Sequence, residues 1–172
     1  MVARSKSLDL NLYAQVFANK GYFAKVYPMD KKSKCGDALE IFFREFGVPE
    51  SLTFDGYTEQ TGKNTTFMKQ IRSNNINHHV IEPEIHHQNP VEGGIRELWK
   101  KWFRIMVRKR VPRKLWDYGY MWMSKTMLVI HTSSGDRMDQ YQSQKPQGRR
   151  QICHNILTLA FIIETGTDIM RI

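Results

Sequence analysis

Cysteine is scarce in this chain: Cys35 and Cys153 are the two, 118 positions apart. That separation matches neither a zinc-binding spacing nor the framework of a small disulfide-stapled domain, so both read as free thiols of a reducing compartment. Long apolar runs are missing as well. No stretch approaches the roughly 18 consecutive apolar residues that span a bilayer, and the N-terminus has no apolar signal core. The expectation is therefore an intracellular protein, nuclear or cytoplasmic, with no membrane partner. Glycine-rich phosphate loops, GxGxxG and GxSxG are also absent, which removes the common nucleotide-binding and serine-hydrolase classes. There are no internal repeats.

Acids are in short supply: 17 Asp and Glu face 26 Lys and Arg, a net charge of +9. Nine of those bases and a single acid fall between Arg96 and Lys114, so nearly all the excess sits on one segment. A concentrated positive stripe is the footprint of a polyanion binder, nucleic acid above all; a solvated helix face is the plainer alternative.

What is present suffices for one domain with a core. A 41% hydrophobic and 12% aromatic content excludes a disordered chain of this length. Residues 1–11 read as the end of a strand running into a turn. Tyr13–Ala18 and Tyr22–Tyr27 are aromatic, β-rich runs joined through Gly21, a hairpin signal, with Pro28 expected to stop the second. Lys34–Phe46 follows as a helix with Ala38, Leu39, Phe42, Phe43 and Phe46 inward, closed by Gly47 and Pro49. Ser51–Phe54 is a short buried strand ending at Asp55-Gly56. Thr65–Arg72 predicts a helix with Phe67, Met68 and Ile71 inward, and Asn77–Ile81 a further strand. After the polar stretch His86–Asn89, the spacing of Ile95, Leu98, Trp99, Trp102, Ile105 and Met106 predicts an amphipathic helix. Asn89 suits its N-cap and Pro90 its first position; Lys100, Lys101, Arg104 and Arg108 lie mostly off the apolar stripe. Met121–His131 reads as another helix. This order predicts an α/β class, a mixed sheet flanked by helices.

Two acids stand out. Asp55 follows a strand, where α/β sheets collect functional groups, and Glu92 opens the basic helix. Carboxylates brought together by a fold can hold hard divalent cations such as Mg²⁺ and promote phosphodiester chemistry. Both also have plainer readings. Asp-Gly is a common turn pair, and an acid in a first helical turn caps backbone N–H groups and meets the helix dipole. The pairs His78-His79 and His86-His87 lack a nearby Cys and read as strand-surface and loop residues rather than a zinc site. Trp99 and Trp102 read as core; Phe103 is left open between core and base stacking.

From Met1 to about Tyr120 the chain resembles the catalytic core of retroviral-type integrases, in particular those of Copia-like long-terminal-repeat retrotransposons. The resemblance is carried by Gly47-Val48-Pro49, by Leu52-Thr53-Phe54-Asp55 with Glu59 four residues on, and by Gln88-Asn89-Pro90-Val91-Glu92 leading into the basic helix. It implies a ribonuclease-H-like fold and an Asp, Asp, Glu triad in which Asp55 is the second acid and Glu92 the third. The 36 residues between them fit the family spacing, whereas Glu97, with 41, fits poorly. It also implies Mg²⁺ or Mn²⁺ on Asp55 and Glu92, and 3′-end processing and strand transfer on DNA. Gln88 and Asn89 would contact DNA ends, and Arg96, Lys100, Lys101 and Arg104 would lie along the duplex. A homo-oligomer is a further possible partner state.

The first acid of that triad has no counterpart on the strand expected at Met1–Lys6. The expectation is that it lies upstream of Met1, lost by truncation, or that Asp9 in the following turn replaces it. The enzyme would then be weak or inactive, and a non-catalytic nucleic-acid-binding remnant is the alternative. Beyond Ser133 the resemblance ends. Residues 1–130 are thus expected to form the core, and 131–172 a divergent tail, frameshifted or poorly ordered.

Overall fold

Alternation decides the first two strands. In β1 (Tyr13–Ala18), Ala14, Val16 and Ala18 are buried on one face, while Gln15 and Phe17 are buried on the other. It pairs antiparallel with β2 (Ala24–Met29), with Val16 opposite Val26 and Ala14 opposite Pro28. The second strand therefore runs two residues later than expected, and Pro28 lies inside it. Proline is tolerated there because β2 is the edge of the sheet, where one side has no ladder to supply with an N–H. A computed structural model describes residues 6–19, 23–56, 58–81, 90–133 and 159–164; at position 55 and along 90–94, 127–133 and 159–164 that description is of the backbone. The strand expected at Met1–Lys6 lies almost wholly outside those residues.

A 3₁₀ turn, Lys32–Lys34, leads into α1 (Cys35–Phe46). Its residues Ala38, Leu39 and Phe42 are buried, and Phe43 and Phe46 pack partly buried beside them. Gly47 ends the helix at φ 89° and ψ 173°, its N–H bonded to the Phe43 carbonyl at 2.8 Å. That is a glycine conformation, but an extended one rather than the left-handed cap expected there. Glu45 joins α1 to β2 through Lys25 at 2.7 Å and the Tyr27 hydroxyl at 2.9 Å. Partial burial pulls the Glu45 carboxyl upward, but Lys25 and Tyr27 outweigh it and hold the group below its ordinary range.

Next come β3 (Ser51–Asp55), the short helix α2 (Thr58–Thr61), which no sequence signal announced, and α3 (Thr66–Ser73). Thr65 caps α3, its hydroxyl accepting from the Met68 N–H. The expected inward trio Phe67, Met68 and Ile71 is buried. Then β4 (Asn77–Ile81) pairs parallel with β3, Asp55 level with Ile81. Two long helices close the described core: α4 (Pro90–Arg108) and α5 (Trp116–Ser133), which starts five residues before the helix expected from Met121.

The sheet is completed from the tail. Residues Leu159–Glu164 form β5, antiparallel to β1 and parallel to β3, giving the order β2-β1-β5-β3-β4. A segment set apart from the core in sequence thus holds the centre of the sheet. Helices α1 and α3 cover one face through Phe17, Leu39, Phe42, Leu52, Phe54 and Phe67. The other face meets α4 and α5 through Val16, Val26, Leu98, Trp102 and Trp116. The architecture is mixed α/β, and among the described residues no helix is long and apolar enough to cross a membrane.

Because β5 bridges the two strand pairs, Ile162→Pro should be costly. Proline is not accommodated inside a central strand, and a buried backbone group left without a partner costs about 1–3 kcal/mol. Chemical denaturation should show a loss of that size; an unchanged midpoint would mean that residues 159–164 do not hold the sheet together.

Candidate nucleic-acid interface

The amphipathic pattern of α4 is realised. Ile95, Leu98 and Trp102 are buried, and Trp99, Ile105 and Met106 pack partly buried against the same core. With that side spent on packing, Arg96, Lys100, Arg104 and Arg108 come out exposed, and Lys101 is half-buried. Lys100 meets Glu97 at 3.6 Å one turn away, an exposed pair worth little in water. Phe103 is 45% exposed and Val107 59%, so Phe103 belongs to the cationic side and not to the core.

α4 owes its position to close packing on α5. Trp102 lies against Gly119, where an added Cβ would overlap the Cε2, Cζ2 and Cη2 atoms of the indole. Tyr120 packs edge-on against Trp102, with ring centroids 6.3 Å apart, and tilted against Trp99 at 5.0 Å. Only glycine leaves room for this approach.

Asp55 and Glu92 are carried by different elements. Asp55 is the last residue of β3, and β4, parallel to it, ends level with it at Ile81. Leu52 and Phe54 point to the α1 and α3 face. Glu92 lies in the first turn of α4, which begins at Pro90. Gln88 and the proposed N-cap Asn89 lie outside the described residues. Among the described residues no three His, Cys, Asp or Glu side chains gather into a metal-holding group, and those of Asp55 and Glu92 are not among them.

Asp9 is engaged elsewhere. Its carboxylate accepts the Tyr118 hydroxyl at 2.6 Å, which raises the phenol's pKa above its ordinary value. Asp117 is fully buried and accepts from Asn11 Nδ2 at 2.9 Å. Together these contacts tie the segment before β1 to α5, a role that its turn-like sequence does not announce. Glu59 sits in α2, where its carbonyl accepts from the Cys35 thiol at 3.4 Å. Burial pushes that thiol up to about 11, which favours its neutral form in the core. His78 stacks on Phe54 with centroids 6.0 Å apart, in keeping with a strand-surface residue.

No family model matches the chain, and no curated protein matches it either.

Gly119→Ala tests the helix approach. The alanine favours helix by up to about 1 kcal/mol, but overpacking a rigid buried indole costs about 1–3 kcal/mol. A net loss in stability is expected, partly recovered when Trp102→Leu is added. A double-mutant cycle with no coupling between the two positions would contradict the contact.

Proposed function

We propose that this chain is an integrase-type core of ribonuclease-H-like fold that binds duplex DNA along α4, with Asp55 and Glu92 as the remaining members of an acidic metal site. The observation that carries the reading is the two-sided character of α4. Its apolar side is consumed by the core, and what remains outward is a row of guanidinium and ammonium groups with, among the described side chains, one exposed acid, Glu97. Cations at that spacing neutralise backbone phosphates without reading sequence. The mixed sheet, with an acid at the end of an interior parallel strand, supports the same reading.

The donor chemistry fits hard cations. Carboxylate oxygens are the ligands that Mg²⁺ and Mn²⁺ prefer, and Asp55 and Glu92 would hold them. Such an ion, when bound, lowers the pKa of a coordinated water or hydroxyl and stabilises developing charge on phosphate oxygens. The chain's own part is positional: β3 presents one acid at its end, and the first turn of α4 presents the other. A cap role for Glu92 is compatible with ligation, since a carboxylate has several lone pairs and the helix needs only one or two.

The acid offered as an alternative first member of the triad is engaged elsewhere. Asp9, the nearest acid in the N-terminal segment, is bonded to Tyr118. That observation favours a second reading, a DNA-binding remnant without catalysis. A strand-transfer assay with Mg²⁺ or Mn²⁺ separates the two, and weak or no product is expected. Robust product abolished by Asp55→Asn would establish the chain as an active transferase.

Duplex binding is a separate expectation. Lys100→Ala and Arg104→Ala should each weaken it and lower the slope of log affinity against log salt by about one. Asp55→Asn and Glu92→Gln should leave it unchanged in the absence of metal. Salt slopes unmoved by either cation substitution would remove α4 as the contact surface.

A further inference from the structure

A second surface lies on α5 and its entry turn. Lys114, Tyr118, Trp122 and Lys125 follow one another at intervals of four, four and three, the spacing that aligns side chains on one side of a helix. All four are exposed, Tyr118 by 46% and Trp122 by 53%. The opposite side of α5 is spent on the core through Trp116, Tyr120 and Met123. Two large aromatic side chains therefore stand half in solvent with a cation at each end.

The platform is also held in place. The Tyr118 hydroxyl donates to the Asp9 carboxylate at 2.6 Å, and the Leu8 N–H donates to the Lys114 carbonyl at 2.7 Å. The segment before β1 thus braces the stripe and sets Leu8 and Leu10, both exposed by more than 60%, beside it. Among the described residues Asp9 is the acid at this surface and already has a donor; Asp117 is buried and bonded to Asn11. The net character of the stripe is aromatic and cationic.

We propose that Tyr118 and Trp122 form a stacking platform for single-stranded DNA, with Lys114 and Lys125 holding phosphates on either side. The ligand follows from the chemistry. Bases in a duplex are already stacked on one another and offer no face to an exposed indole, whereas an unpaired strand offers one per nucleotide. The flanking lysines supply the charge that the strand's backbone requires. The choice of DNA over RNA rests on the DNA reading of α4; the platform itself does not.

The test uses the full chain with labelled oligo(dT) of about 12 nucleotides, within the site sizes of such platforms, and a duplex of equal length. Trp122→Ala should weaken oligo(dT) binding by about tenfold and leave duplex affinity and the thermal midpoint unchanged. Trp122→Phe should retain most of the affinity because a ring remains. Tyr118→Phe, which drops the bond to Asp9 but keeps its ring, should do the same. Lys125→Ala should lower the salt slope for oligo(dT), whereas Lys100→Ala and Arg104→Ala should act on the duplex alone. That contrast separates failure of this proposal from failure of the α4 reading. Absence of oligo(dT) binding overturns the platform, as does an equal loss on both ligands in Trp122→Ala. A Trp122-dependent preference for oligo(U) overturns the assignment to DNA. A shift from dimer to monomer in Trp122→Ala, with oligo(dT) binding intact, would make the stripe a self-association surface instead.

Discussion

The sheet hangs on β5. The hairpin β1–β2 and the parallel pair β3–β4 are separate ladders, and β5 joins them by offering one hydrogen-bonding edge to β1 and the other to β3. A buried backbone edge without a partner forfeits its hydrogen bonds to water and gains none in return. The two apolar cores depend on that continuity. One spans β1, β2 and β3 under α1 and α3, and the other holds α4 and α5 against the opposite face. The position of α4, and so of its cations, is therefore set by a strand at the far end of the chain.

Burial then orients charge. Once Ile95, Leu98 and Trp102 are committed to the core, helical geometry leaves Arg96, Lys100 and Arg104 no side but the outer one. The same logic on α5 leaves Tyr118 and Trp122 outside while Trp116 and Tyr120 go in. Gly119 governs how closely the two helices approach, because the Trp102 indole occupies the space of a Cβ. Both proposed nucleic-acid surfaces are thus residues of packing: what the core did not use is what a partner can reach.

Local elements were legible where the pattern is strong and the forces are local. The helices at Cys35–Phe46, Thr66–Ser73 and Pro90–Arg108 carry a 3.6-residue apolar period, with Pro90 as a first residue; Thr65, expected inside the second helix, caps it instead. Errors came where the decision was made elsewhere in the fold. Pro28 reads as a strand breaker and is tolerated because β2 happens to be an edge. Helix α2 is four residues long and too short to carry a period. For the candidate site, the residue types and chain positions of Asp55 and Glu92 were readable, and so was the cationic row of α4. The engagement of Asp9 by Tyr118, 109 residues away, was not.

The sequence by itself determined the amphipathic helices, the hairpin, and where positive charge would gather, because each follows from side-chain period or composition within a short window. Only the tertiary structure decided that Leu159–Glu164 completes the sheet, that Asp55 ends an interior strand, and which aromatics of α5 stay in water. Apolar runs such as Ile152–Ile163 show no alternation to name a partner. Strand order is chosen by which backbone edges remain unpaired once everything else has packed, and that is a property of the whole chain.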